Sequence, residues 1–139
     1  MNIDKIVSIA GKPGIFEIKS QTKGGIIVES LQDKKRFPVN SLQSISALSD
    51  IAIYTHEEEV PLREVLLNMN KKENGALAID HTSEAKKLKE YFAQVLPNYD
   101  EERVYTSNIK KVVQWYNILV ASGFDFTTLE EKEEEKKES

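Results

Sequence analysis

The chain has 139 residues, 40% hydrophobic and 30% charged, which suits one domain or two small halves sharing a core. It contains no cysteine, which excludes disulfides, thiolate nucleophiles and thiolate metal sites, and no apolar run approaches the roughly 20 residues of a membrane helix. The net charge of −4 argues against non-specific nucleic-acid binding, although residues 1–55, with seven basic and five acidic side chains, escape that argument weakly.

A cysteine-free chain fits a reducing cytoplasm. The N-terminal MNIDKIVSIAGKPG has an apolar run only from Ile6 to Ala10, broken by Ser8, too short for a signal-peptide core. Cytoplasmic location is therefore the expectation.

In chain order, the first third predicts strands. Phe16 and Ile18 alternate with Glu17 and Lys19 in a run from Gly14 to Lys19. Gly24-Gly25 supply a turn, and Gly25 to Leu31 is a β-branched second strand. After a polar turn at Gln32 to Lys35, Arg36-Phe37-Pro38-Val39 starts a third strand. Pro38 has no amide donor and places that strand at an edge or at its own beginning. Asn40 to Ile45 suits a short helical turn or a return into strand, and Ile51 to Thr55 is a fourth alternating strand. Short strands about ten residues apart predict a strongly bent small barrel or sheet.

The rest predicts helices. Pro61 suits a first helical turn, Leu62, Val65, Leu66 and Met69 follow at helical spacing, and Asn74-Gly75 is a stop. Ala76 to Ile79 reads as a buried connector. Thr82 or Ser83 caps a second helix with a stripe of Ala85, Leu88, Phe92, Val95 and Leu96, ended by Pro97. Thr106-Ser107 caps a third, in which Ile109, Val112, Val113, Tyr116, Leu119 and Val120 recur at three and four and Gly123 closes the run. The highly charged stretch after Leu129 predicts disorder or a solvated helical extension.

Three stretches, GKPGIFEI, KGGIIVESL and KRFPVNSLQSISALSDIAIYT, resemble the opening of an uncharacterised bacterial, Bacteroidetes-type family annotated only by a domain of unknown function. LKEYFAQVLPNYDEERVY and SNIKKVVQWYNIL resemble its helical second part, so the likeness spans most of residues 1–126. The resemblance implies an SH3-like small barrel followed by helices; together with the patterning above, the expectation is an α+β protein with a barrel of four or five strands over residues 1–56, helices over 57–128 and a disordered acidic tail at 129–139. It implies no activity, cofactor or catalytic residue.

The residues themselves give little chemistry. His56 precedes Glu57 to Glu59 and His81 follows Asp80, but neither histidine has a partner ligand at helical i+4 spacing. Both sit at chain breaks, where surface turn residues are the plainer reading. No Gly-x-Ser-x-Gly elbow occurs, and Gly11-Lys12-Pro13-Gly14 lacks the phosphate-loop pattern and precedes a strand. No catalytic residue, cofactor or metal is expected.

Two binding classes remain. The leading one is a non-catalytic protein-interaction module, using an open strand edge near Pro38, the aromatic residues Trp115, Tyr116, Phe124 and Phe126, and the acidic tail; core packing of those aromatics is its plain competitor. The alternative is RNA or DNA binding by Lys23, Lys34, Lys35 and Arg36 at two turns of the barrel, with Phe16 or Phe37 as a stacking ring.

Overall fold

The computed structural model describes residues 2–40 and 44–130. Seven strands precede or flank three helices: β1 (Ile6–Ile9), β2 (Lys12–Thr22), β3 (Gly25–Ser30), β4 (Arg36–Val39), β5 (Ile45–Ala47), β6 (Ala52–Tyr54), β7 (Glu59–Pro61), α1 (Leu62–Lys72), α2 (Ala85–Val95) and α3 (Thr106–Ala121).

Strands β1 to β5 form an antiparallel sheet in the order β4-β3-β2-β1-β5. Register shifts between Val7 and Ile9 in β1, and between Ile18 and Ser20 in β2, mark bulges that bend and twist the strands. Side chains alternate between two cores. Val7, Ile9, Phe16, Ile26, Val28 and Val39 pack together on one face, where Phe16 and Phe37 meet edge to face at 5.4 Å. Ile6 and Ile15, the immediate neighbours of Val7 and Phe16, point the other way into the core made with the helices.

Among the described residues no pairing joins β4 to β5, so the five strands make an open antiparallel sheet followed by helices, an α+β arrangement. The strand expected at Ile51 to Thr55 exists as β6. It pairs with β7 in a separate two-stranded sheet, Ile53 opposite Val60 and Tyr54 opposite Glu59, and does not extend the first sheet. Thr55 explains the turn between them: its buried hydroxyl accepts from the Glu57 and Glu58 amides and donates to the Glu58 carbonyl. β4 is an edge strand, consistent with Pro38. Of the segment expected to turn or return into strand at 40–45, residues 41–43 lie outside the described ones.

The helices follow their apolar spacing. Leu62, Val65, Leu66 and Met69 of α1, Leu88, Phe92 and Val95 of α2, and Ile109, Val113, Tyr116 and Leu119 of α3 are all buried in one cluster with Ile3, Leu31 and Leu48. The two halves of the chain therefore share a core. Ala85, expected in the α2 stripe, is exposed at the first helical position, and Tyr91 takes the buried place. The residue before α2 is Glu84; Thr82 instead turns back to Asp80, its amide and hydroxyl both donating to Asp80 Oδ1.

α3 holds the connector after α1. The Tyr116 hydroxyl donates to the Ala76 carbonyl at 2.7 Å, and Asn117 accepts from the Ala78 amide and donates to the Ile79 carbonyl. This connector is half-covered, with Leu77 exposed. Residues 127–130 form another helical turn in which Leu129 is buried; of the tail expected at 129–139, residues 131–139 lie outside the described ones.

Gly25 sits where a Cβ would lie 2.2 Å from the Val39 carbonyl oxygen, a backbone atom that cannot swing away. Gly25→Ala is expected to cost about 1–3 kcal/mol through overpacking, read as a lowered urea midpoint with an unchanged slope.

Candidate functional site

The aromatic residues expected to form a partner face are core. Tyr116 is fully buried, and Trp115, Phe124 and Phe126 are each less than 10% exposed at 8%, 6% and 7%. Phe126 packs against both Phe124 and Tyr116. The physical reason is the width of the α3 apolar face: residues 100° apart on a helix both find cover when the sheet packs on one side and α2 on the other.

The basic turns are not one patch. Lys23 stands at the β2–β3 turn, while Lys34 and Lys35 stand at the β3–β4 turn, at the opposite end of the six-residue β3. Arg36 lies across β4, its Nε donating to Glu29 at 3.1 Å. Lys19 also bonds Glu29 and Glu17, and these cations together hold the Glu29 carboxyl below its ordinary value, Arg36 first. Phe16 is buried and Phe37 is half-buried beneath the Lys12 ammonium at 4.8 Å.

The catalytic candidates are dispersed. The exposed His56 donates its amide to the Asn98 carbonyl, whereas His81 pairs with Asp80 at 3.6 Å on the connector before α2. Among the described residues no group of three or more His, Asp or Glu side chains is placed to hold a metal. Among those residues, too, no helix is long and apolar enough to cross a membrane.

The structure assembles a different feature, which the sequence did not single out. β6, the loop 98–105 and the start of α3 enclose a cleft of about 320 Å³. Its construction is local. Asp100 accepts the Glu102 amide through Oδ1 and Arg103 Nε through Oδ2 at 2.7 Å, and the Val104 amide returns to the Asp100 carbonyl. That turn lays the Arg103 guanidinium over the Tyr54 ring at 4.5 Å. Asn108 then accepts from the Tyr105 amide, satisfying one donor ahead of α3. Buried Val104, Val112 and Trp115 form the apolar base, while Tyr54 and Tyr105 stand 41% and 66% exposed at the rim.

A second cleft of about 620 Å³ adjoins the first and reaches the β1–β2 turn at Gly11 to Gly14. Ile51, Asn108, Lys111 and Trp115 line both, so the two make one groove along the seam between the sheet and the helices. Among the described residues three cations, Arg103, Lys111 and Lys12, line this groove and no carboxylate does, in a chain with 23 acidic side chains against 19 basic. The sequence signal for it was faint: Tyr54 and Tyr105 sit 51 positions apart and only the fold brings them to one rim.

Arg63, in the first turn of α1, is another residue that sequence reading missed. It is only 9% exposed, and its Nε has no hydrogen-bond partner among the described residues. Its charge also opposes the helix dipole there. Removing an unsatisfied buried donor while keeping the side-chain volume relieves that penalty, so Arg63→Met is expected to raise stability by about 1 kcal/mol, measured by denaturant unfolding.

Arg103, the Glu102 amide and His56 hold the Asp100 carboxyl below its ordinary 3.8. A depressed folded value contributes stability above 3.8 that is lost as pH falls through the folded value. The Asp100 carboxyl carbon resonance is therefore expected to titrate below 3.8 and to move back toward it in Arg103→Gln.

The chain matches two family descriptions in succession: a domain of unknown function (DUF5606) over residues 3–48 and a domain of unknown function (DUF6852) over residues 51–119. No curated protein matches it. A solution NMR structure from Bacteroides vulgatus, determined by a structural genomics consortium, is 49% identical and covers 89% of each chain with a TM-score of 0.73. The groove residues fall in both matched segments, Lys12 in the first and Tyr54, Arg103, Tyr105 and Lys111 in the second. With that identity over nearly its whole length, the chain belongs to an uncharacterised Bacteroidetes-type family whose two parts are both described as domains of unknown function.

Proposed function

We propose that this protein is a non-catalytic protein-interaction module of the bacterial cytoplasm, and that its binding surface is the groove along the seam of sheet and helices. One observation carries the reading. A concave, apolar-based groove is rimmed by two exposed tyrosines, and exposed tyrosines beside an apolar floor are the composition of a binding hot spot. The lack of cysteine and the Bacteroides relative support the location.

The dispersed histidines and carboxylates favour binding over catalysis, since a catalytic site needs its acid, base and substrate pocket in one place. The proposed platform is an SH3-like small barrel. The strand order β4-β3-β2-β1-β5 and the two bulges support that description, with β5 returning beside β1.

The alternative, nucleic-acid binding through Lys23, Lys34, Lys35 and Arg36, has less support. These side chains lie at two ends of β3, and Arg36 is engaged by Glu29.

Both readings meet in one experiment: affinity capture from a native cytoplasmic extract, with and without nuclease, using the full chain and its Tyr54→Ser/Tyr105→Ser variant. The expected outcome is a defined protein partner that survives nuclease and is lost with the double variant. Recovery of nucleic acid that depends on Lys34 and Lys35 would overturn the reading in favour of the alternative.

A further inference from the structure

We propose that the groove takes an extended acidic peptide segment of a partner protein, with an aromatic or aliphatic side chain on the apolar base and carboxylates over Lys111 and Lys12. This rests on the groove being the interaction surface. The inference adds the chemistry of the occupant.

Charge complementarity carries it. The chain as a whole is acidic, yet among the described residues three cations and no carboxylate line the groove. The three are not equivalent. Arg103 is held by Asp100 at 2.7 Å and stacked on Tyr54, so its charge is half spent. Lys12 rests over the Phe37 ring at 4.8 Å. Lys111 is exposed on the second turn of α3, lines both clefts, and has no ion pair among the described residues. It stands where the two clefts join. An anionic group above it would also lie near the N-terminal end of α3, where the helix dipole favours negative charge.

The apolar half of the site asks for a side chain as well as a charge. Val104, Val112 and the edge of Trp115 form a base without charge, and Tyr54 and Tyr105 offer faces on which another ring or a branched aliphatic group can rest.

A nucleic acid offers rings and negative charge too, but the surroundings disfavour it. A nucleotide chain carries one charge per residue and needs cations along its length. Here, among the described residues, only Lys111 and Lys12 lack an ion pair in the groove, and carboxylates stand just outside the cleft: Asp100 and Glu59 both act on Arg103. A peptide needs only one or two anionic contacts. Main-chain pairing contributes little, because residues 98–100 already pair with β6 from Tyr54 onward, through the Asp100 amide to the Tyr54 carbonyl and the bridge between Thr55 and Tyr99. The segment is therefore held by its side chains.

The test uses the full ¹⁵N-labelled chain and three defined probes: a random glutamate–tyrosine copolymer, poly-L-glutamate and oligothymidylate. The copolymer is expected to bind most tightly, to shift the amides of Tyr54, Tyr105, Asn108 and Lys111, and to lose about tenfold in affinity in Lys111→Glu. Lys111→Met should lose less, and the same spectra report whether each variant remains folded. Tighter binding of oligothymidylate at these amides would overturn the proposal, as would copolymer binding elsewhere or none. Capture of a partner that needs Tyr54 and Tyr105 yet tolerates Lys111→Glu would overturn the acidic chemistry alone and leave the interaction module standing. Loss of capture specificity for the tyrosines would remove the groove itself.

Discussion

The two-sided burial of β1 and β2 is the constraint from which the rest follows. Ile6 and Val7 are adjacent, as are Ile15 and Phe16, and in a strand adjacent side chains leave on opposite faces. All four are buried, so both faces of the sheet must be covered. One face is covered by the sheet itself, which bends at its bulges around Val28, Phe16 and Val39. The other face can only be covered by something added later in the chain, and α3 with its neighbours supplies it. The helices are therefore part of the sheet's stability, and a split into independent halves would leave Ile6 and Ile15 in water.

The same requirement makes a seam. Where a bent sheet meets a helix the two surfaces diverge, and the space between them is bounded by whichever loops run past. Here these are the β1–β2 turn, β6 and the loop 98–105. Trp115 illustrates the consequence. It is buried by the packing of the two halves, yet it lines both clefts, so a core residue also shapes the groove. Arg103 does the complementary work at the rim: tied by Asp100, it is laid on the exposed Tyr54 ring.

α3 also fastens the connector after α1. Tyr116 and Asn117 direct their polar groups to its backbone, fixing residues 76–79, which have no helix or strand of their own. Asn108 and Lys111, earlier on α3, face the groove. One helix thus secures the core through its middle and presents polar atoms to the seam near its start.

Periodicity alone determined much of this chain. The alternation around Phe16, the β-branched run after Gly25, the edge position of Pro38 and the apolar spacing of all three helices are local signals, and the matching elements form. Short segments were harder: Ile6–Ile9 and Glu59–Pro61 are strands only because partners lie beside them, since three or four residues carry too little pattern to announce a strand. Pairing also decided that β6 leaves the first sheet for β7, and packing decided that the aromatic residues of α3 and its C-terminal turn are interior. The groove belongs wholly to the tertiary structure. Its tyrosines, lysines and tryptophan come from four separate stretches, and sequence patterns report a residue's own neighbours, whereas a concave surface is made by residues that become neighbours only when the chain has folded.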